Sequence, residues 1–273
     1  MSRTYHLHLV SDSTGETVGV VARAALVQFE DVKAIEHLWS TVRTERQLER
    51  VLSAIEAEPG IVMFTLLSPL LRARLRNACE KLEVPCIAVL DPVLGSLAMY
   101  FGTEGSGQPG GQHALDSDYY QRIDAMNFVL RHDDGQATRD LNQADIVLVG
   151  VSRTSKTPTC IYLANRGIKA ANVPLVPGCP TPDELLNATK PFIVGLTNDP
   201  QRLVQIRRNR LRLIEENAET EYVDIGAVRS EVDQAKRLFE EQGWPVIDVT
   251  RRSIEETAAA IMQLYNERRR RIE

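Results

Sequence analysis

A buried strand followed by a nearly complete phosphate-binding loop is the feature that most constrains the fold of this chain. Residues 150–157 read Gly-Val-Ser-Arg-Thr-Ser-Lys-Thr, which fits the P-loop pattern G-x-x-x-x-G-K-[ST] except that Ser155 replaces the second glycine. The apolar, β-branched residues 144–149 predict a buried strand, and residues 159–164 predict the opening of a helix. A strand, a loop and a helix in this order aim helix-terminal N–H groups at an anion. The predicted nucleotide site comprises Gly150, Val151, Ser152, Arg153, Thr154, Ser155, Lys156 and Thr157.

The roles of the last three loop residues follow from the P-loop pattern. We expect Lys156 to reach the outer phosphates and the hydroxyl of Thr157 to hold Mg²⁺. A serine at position 155 is expected to fit only if its backbone stays right-handed, because its Cβ disfavours the left-handed region. An ordinary β-α turn without a ligand also begins with a strand and a glycine, so this alternative stays open.

Strand-like and helix-like segments alternate along the chain. The predicted helices lie at residues 16–29, 44–57, 69–82 and 119–130, with a last helix from Ser253, whose capping box includes Glu256. The predicted strands lie at residues 5–10, 35–39, 61–67, 86–90, 144–149, 173–176, 192–196 and 245–249. This alternation is typical of α/β proteins with a parallel sheet and helices on both faces.

The alternation breaks at residues 101–112, where glycines and a proline crowd together and indicate a loop or a domain boundary. We therefore expect an N-terminal parallel-sheet (Rossmann-like) domain at residues 1–112. A P-loop nucleotide-binding α/β domain is expected at residues 113–273. Residues 105–110 match G-x-G-x-x-G, but Pro109 and the absence of a following apolar helix favour a structural loop over a dinucleotide site.

A hydroxyl-rich turn follows the first predicted strand. Residues 11–17 read Ser-Asp-Ser-Thr-Gly-Glu-Thr and precede a predicted helix, so that hydroxyls and backbone N–H groups face the same point. Capping of the helix by Ser13 or Thr14 is the alternative, and it requires no ligand. The candidates for this possible second phosphate site are Ser11, Ser13, Thr14 and Gly15.

Composition excludes several classes of function. The net charge of −5 argues against a duplex-DNA partner, although residues 207–212 and 268–271 are locally basic. The four cysteines form no C-x-x-C pair and show no metal-ligand spacing with histidine, which favours buried free thiols. The chain opens directly on a strand-like segment, and no apolar stretch is long enough to span a bilayer. We therefore expect a soluble, cytoplasmic protein that binds neither nucleic acid nor membrane.

Acid–base candidates lie near the middle of the chain, at His113, Asp116, His132, Asp133 and Asp134. Transfer of a phosphoryl group to a hydroxyl needs a carboxylate near the acceptor proton and positive charge near the phosphoryl group. Arg153, with Arg202 or Arg207, would supply that charge. Residues 133–135 precede the loop's strand and so lie at its amino end by chain order, from where they would have to fold across to the phosphates. A simple turn is the alternative for this Asp-Asp-Gly segment.

Several of these segments together resemble the pyruvate, phosphate dikinase regulatory protein family. The resemblance is carried by residues 8–17, 116–123, 132–135, 150–159 and 194–197, and so extends over the whole chain. A sister branch of the family, which acts on phosphoenolpyruvate synthase, carries Cys-Gly before the loop lysine. This chain has Thr154 and Ser155 there, which favours the dikinase branch.

The resemblance implies a bifunctional enzyme. One activity is an ADP-dependent kinase that inactivates the dikinase by phosphorylating a threonine in its active site. The other removes this phosphate by attack of inorganic phosphate, which releases pyrophosphate. On this basis residues 150–157 bind ADP, Lys156 contacts its β-phosphate, and Thr157 or Ser152 helps to place Mg²⁺. The resemblance also suggests a homodimer, and we take Asp133 or Asp134 as the hypothetical base.

Two alternatives to this function remain open. A small-molecule P-loop kinase would need a lid, for which the arginine-rich residues 202–212 are a candidate. A nucleotide sensor without enzymatic activity would need only the binding loop.

Overall fold

The computed structural model describes residues 4–111, 117–135, 138–213 and 221–272. The chain separates into two compact units, residues 1–114 and 115–273. The domain boundary expected between residues 112 and 113 lies outside the described residues, as do His113 and Asp116.

The first unit contains a four-stranded parallel sheet in the order β2-β1-β3-β4. The carboxyl end of its central strand β1 has an apolar residue on each face: Val10 packs with Leu48 and Leu75 on one face, and Leu9 packs with Val18 on the other. The strands are β1 (Thr4–Val10), β2 (Lys33–Trp39), β3 (Ile61–Phe64) and β4 (Cys86–Ala88). The helices are α1 (Glu16–Leu26), α2 (Glu45–Ala57), α3 (Pro69–Lys81) and α4 (Asp91–Phe101).

Helix α4 was not predicted. The strand predicted at residues 86–90 was expected to end at Pro92. Pro92 instead lies in the first turn of α4, where proline is well tolerated. None of its residues is buried in the structure, so α4 lacks the apolar core contacts that give most helices their periodic sequence signal.

The second unit repeats the same strand order, with a parallel sheet arranged β6-β5-β7-β8. Its central strand β5 is buried over all five residues, as a strand covered on both faces must be. The strands are β5 (Ile146–Gly150), β6 (Ala170–Pro174), β7 (Phe192–Thr197) and β8 (Val246–Asp248). The helices are α5 (Ser117–Arg131), α6 (Lys156–Ala164), α7 (Asp183–Leu186), α8 (Pro200–Leu213), α9 (Ile225–Glu241) and α10 (Ile254–Ile272).

The predicted fold class is confirmed, since both sheets are parallel and belong to α/β units. The capping box of α10 is confirmed as well. Ser253 N–H donates to Glu256 Oε2 at 2.8 Å, and Glu256 N–H donates to Ser253 Oγ at 3.1 Å. In both units the turn after the central strand reaches the carboxyl edge of the sheet, which is where open α/β sheets bind their ligands.

Candidate functional site

The 150–157 loop joins the carboxyl end of β5 to the first turn of α6. It passes so close to β7 that a Cβ on Gly150 would lie 2.5 Å from the carbonyl oxygen of Leu196, so only glycine fits there. Thr154 is fully buried, and its hydroxyl donates to the Val151 carbonyl at 2.9 Å. These buried contacts hold the backbone of the loop in its conformation.

The expectation that Ser155 keeps a right-handed backbone is wrong. Ser155 lies at φ 60°, ψ 22°, in the left-handed region, and it is the N-cap of α6. Arg153 also has a positive φ, of 71°. Non-glycine residues rarely adopt this conformation and do so at a cost of about 1–3 kcal/mol, typically where surrounding contacts over-determine the backbone. The serine therefore takes the backbone shape that glycine would take, at an energetic cost.

Lys156 is the buried cation of the loop. It is only 6% exposed, and its ammonium donates to the Val151 carbonyl at 2.9 Å. Burial lowers the pKa of Lys156 from 10.5 to about 8, although the nearby Asp134 carboxylate partly opposes this shift. A buried ammonium with so little anionic compensation favours the approach of an anionic ligand.

The Asp133 carboxylate meets the last residue of the loop. Thr157 Oγ1 donates to Asp133 Oδ1 at 2.8 Å, and Asn172 Nδ2 donates to the same oxygen at 2.7 Å. The amino end suggested by chain order is therefore not where Asp133 lies. Helix α5 carries the chain to β6, beside which residues 133–135 form a 3-10 turn. The segment is thus both a turn and part of the cluster around Thr157.

Asn172 was missed by sequence reasoning. Besides Asp133, its amide nitrogen contacts Asp134 Oδ1 at 3.3 Å and Thr157 Oγ1 at 2.9 Å. Its own Oδ1 is buried and has no hydrogen-bond partner among the described residues. A lone asparagine in the middle of an apolar strand was the only available signal, because the residues it joins are far away in sequence.

His132 anchors the carboxylate segment. Its ring stacks on Phe128 with centroids 3.9 Å apart, and its Nδ1 is 2.9 Å from the Phe128 carbonyl oxygen. The His132 carbonyl also accepts a bond from the backbone N–H of Asn172 at 3.1 Å. These contacts give the buried His132 a positioning role beside Asp133.

Arg207 supports the loop from the opposite side. It is fully buried and forms a bidentate pair with Glu231, at 3.1 and 2.7 Å, while Nη2 donates to the Ser152 carbonyl at 3.3 Å. Its guanidinium lies 4.5 Å from the ring centroid of Tyr222, whose hydroxyl is 3.1 Å from Ser152 Oγ and 3.3 Å from Arg153 Nε. Sequence reasoning missed Tyr222 and Glu231. Arg207 is thus committed to holding the loop.

The proposed lid of arginine-rich residues is instead part of a packed helix. Residues 202–212 lie within α8, whose Leu203, Val204 and Leu211 are buried. Arg202 is exposed, and its backbone N–H bonds the carboxylate of Asp199. Of the three arginines expected to supply charge, Arg153 is exposed and lines the cavity in front of the loop.

A cavity of about 870 Å³ opens in front of the loop. Its volume falls in the range of small-molecule sites. One wall is apolar and includes Pro174, Leu175, Val176 and Ile206. The polar part includes Asp134, Ser152, Arg153, Lys156, Thr157 and Tyr222. Asp134 thus faces the cavity, while Asp133 lies behind it against Thr157.

The hydroxyl-rich turn of the first unit lines another cavity, of about 720 Å³. Ser11, Ser13, Thr14 and Gly15 all lie along it, together with residues 105–108, 110 and 111. The N-cap of α1 is Gly15, at φ 83°. No side chain forms a capping hydrogen bond at this N-cap, and the bond from the Glu16 N–H to Thr14 Oγ1 is long, at 3.4 Å, so classical side-chain capping accounts poorly for this turn.

The cysteines depart in part from the expectation of buried thiols. Cys79 and Cys160 are buried and Cys86 is half-buried, but Cys179 is exposed. All four are free.

Comparison with known proteins places this arrangement in a family. The family model described as kinase/pyrophosphorylase matches residues 7–262. The chain belongs to the kinase/pyrophosphorylase family. Within the described residues, no helix is long and apolar enough to cross a membrane.

Curated relatives are similar over nearly the whole chain. A protein of Caulobacter vibrioides is 56% identical over 98% of this chain and 85% of its own length. One of Paramagnetospirillum magneticum is 57% identical over 96% of this chain and 85% of its own length. One of Rhodospirillum rubrum is 52% identical over 96% of this chain and 95% of its own length. Each is provisionally named a pyruvate, phosphate dikinase regulatory protein.

Proposed function

We propose that this chain regulates pyruvate, phosphate dikinase by reversible phosphorylation. As a kinase it transfers a phosphoryl group from ADP to an active-site threonine of the dikinase and inactivates it. As a phosphorylase it uses inorganic phosphate to remove that group and restores activity. The names of the relatives support pyruvate, phosphate dikinase as the target. The observation that carries the chemistry is the buried Lys156 next to Thr157 at a nucleotide-sized cavity, with Asp133 bonded to Thr157.

The residues around the loop fit ADP and magnesium. Lys156 and the N–H groups opening α6 suit the phosphates, and the apolar wall of the cavity suits a nucleobase. The Thr157 hydroxyl and the Asp133 carboxylate are hard oxygen donors of the type that Mg²⁺ prefers. When bound, Mg²⁺ would neutralise phosphate charge during transfer.

The two carboxylates are proposed to have different roles. Asp134 faces the cavity, so we assign it the role of the base that accepts the proton of the attacking threonine hydroxyl. Asp133 already accepts from Thr157 and Asn172, which suits it to orient Thr157 and the cation. Lys156 and Arg153 stabilise the charge on the transferred group.

The kinase step follows from these assignments. The threonine oxygen forms a bond to the β-phosphorus of ADP, the bond from that phosphorus to the α–β bridging oxygen breaks, and AMP leaves. The hydroxyl proton passes to Asp134. In the phosphorylase step an oxygen of inorganic phosphate attacks the phosphothreonine phosphorus. The bond from that phosphorus to the threonine oxygen breaks, pyrophosphate is released, and the proton of the attacking phosphate passes through Asp134 to the threonine oxygen.

Labelled ADP tests this function directly. Purified chain, Mg²⁺, dikinase and ADP labelled in the β-phosphate should yield labelled dikinase that has lost activity. Phosphate added afterwards should restore activity and release pyrophosphate. Label on a metabolite would instead indicate a small-molecule kinase, and ADP binding without transfer would indicate a sensor. A parallel reaction with phosphoenolpyruvate synthase tests the alternative protein target.

The turn containing Ser11, Ser13, Thr14 and Gly15 is proposed as a second phosphate site. Its support is that all four residues line the 720 Å³ cavity. A cytoplasmic location and a homodimer remain predictions.

A further inference from the structure

A cluster of imidazoles in the first unit has no role in the proposed phosphoryl transfer. His6 and His8 alternate along β1 and therefore share one face of the sheet, and His37 lies on the adjacent strand β2 in register with His8. Glu58 follows the last residue of α2. The cluster lies toward the amino-terminal part of β1, whereas the hydroxyl-rich turn follows the carboxyl end of that strand.

Three donor atoms of this cluster converge on one point. His6 Nδ1 is 2.9 Å from His37 Nε2, and these two atoms are 3.9 and 3.6 Å from Glu58 Oε2. A point equidistant from the three atoms lies about 2.0 Å from each, which matches the bond lengths of zinc to histidine nitrogen and carboxylate oxygen. The side chains of His6 and His37 are 25% and 20% exposed, so an ion can reach them from solvent.

A second layer of contacts holds Glu58 and the imidazoles in place. Trp39 Nε1 donates to His8 Nδ1 at 3.3 Å, and an indole nitrogen can only donate. The His8 proton must therefore lie on Nε2, which donates to the Glu58 carbonyl at 2.9 Å. His8 also stacks on His37, with ring centroids 4.7 Å apart. Outer partners of this type orient metal ligands in proteins.

We propose that His6, His37 and Glu58 bind a divalent transition-metal ion, best represented by Zn²⁺. Two imidazoles and one carboxylate suit such an ion better than Mg²⁺ or Ca²⁺, which prefer all-oxygen ligand sets. Three protein ligands leave a fourth position for water. The bound ion would link the end of α2 to β1 and β2, three segments that are distant in sequence.

The sequence could not reveal this site. Its ligands lie 31 and 21 positions apart along the chain, whereas recognisable zinc motifs place ligand pairs a few residues apart. Only the parallel pairing of β1 with β2 brings the two imidazoles together.

Calorimetric titration of the untagged full-length chain with Zn²⁺ tests the proposal. Cysteines are alkylated beforehand, because Cys179 is exposed and thiolates bind the same ion. We expect one Zn²⁺ per chain, with affinity reduced about tenfold or more in Glu58→Gln and further in His6→Ala/His37→Ala. Glu56→Gln changes an exposed carboxylate near the end of α2 and should leave the affinity unchanged.

Cobalt provides a second readout that does not depend on affinity. Co²⁺ bound by two nitrogens, one carboxylate and water should give the visible absorption of a four-coordinate centre, and this should disappear in Glu58→Gln. Circular dichroism without metal establishes that each variant is folded. Absence of binding, or binding that Glu58→Gln and the double histidine variant leave unchanged, would overturn the proposal. Neither result bears on ADP-dependent transfer, which uses residues of the other unit.

Discussion

The two units place different chemistry at the same position of the same topology. In each, a central strand runs into a turn and then a helix, and the cap of that helix is left-handed: Gly15 at φ 83° and Ser155 at φ 60°. The second turn carries the buried Lys156. The first instead carries the buried Asp12, whose carboxylate accepts from the Leu67 N–H at 2.7 Å.

This difference separates what the fold provides from what the side chains provide. Both turns present helix N–H groups at the carboxyl edge of a parallel sheet, which is a favourable place for an anion. A buried lysine adds positive charge for a polyphosphate, whereas a buried carboxylate adds negative charge beside any anion that binds. We therefore expect nucleotide chemistry at the second turn, and at most a weaker phosphate interaction at the first.

Replacing the cation of the second turn should have the largest effect. Lys156→Ala should lower the rate of phosphoryl transfer by about 10³-fold, since it removes the positive charge that we propose faces the transferred group. Ser13→Ala in the first turn should leave the rate near the wild-type value. Turnover of labelled ADP with dikinase measures both. Equal losses in the two variants would break the contrast between the turns.

The lowered pKa of Lys156 should make the free energy of unfolding depend on pH. The pKa of Lys156 is lowered to about 8 by burial, from 10.5 when exposed, so between these values the unfolded chain binds more protons than the folded one. The free energy of unfolding of the wild type, relative to Lys156→Met, should therefore rise above pH 8, by up to about 3 kcal/mol at pH 10.5. Below pH 8 the full cost of burying the charge remains. Urea unfolding over this range measures the difference, and a flat profile would contradict it.

Replacing the different carboxylates should affect different measured quantities. Asp134→Asn should lower kcat by about 10²-fold with little change in the KM for ADP, because it removes the proposed base. Asp133→Asn should mainly raise the Mg²⁺ concentration needed for half-maximal activity. Asp12→Asn, in the first turn, should change the free energy of unfolding without affecting kcat. Unchanged turnover in both Asp133→Asn and Asp134→Asn would make the base assignment wrong.

Exchanging the helix caps should give the smallest effects. Gly15→Ser should destabilise the protein by about 2 kcal/mol, because a left-handed serine is strained and its Cβ would lie 2.6 Å from Leu38 Cδ1. Ser155→Gly relieves strain but adds freedom to the unfolded chain, so its net change should stay below about 1 kcal/mol. Urea denaturation of both variants measures this. A large destabilisation by Ser155→Gly would mean that the serine side chain supports the loop.

Local patterns were sufficient to predict much of the fold. The α/β class and the strand before the loop followed from β-branched runs and their spacing, because strands buried on both faces are apolar throughout. Helix α4 escaped prediction because none of its residues is buried. The left-handed Ser155 escaped because local propensity opposes it, and only contacts around the loop hold it there.

The candidate site was only half visible in the sequence. The eight contiguous residues of the loop form a recognisable motif, since phosphate binding by backbone N–H groups requires a continuous segment. Asn172, Tyr222 and Glu231 contribute through contacts with residues 15 to 70 positions away, and no local pattern marks them.

The sequence by itself determined the order of the strands, the loop that follows β5 and the residue types available for phosphate chemistry. These depend on periodicity and on neighbours along the chain. Tertiary structure alone decided that Asp133 meets Thr157, that Arg207 is committed to Glu231, and that His6 and His37 converge on Glu58. The physical reason is that such contacts depend on strand register and helix packing, which bring together residues that no short-range rule connects.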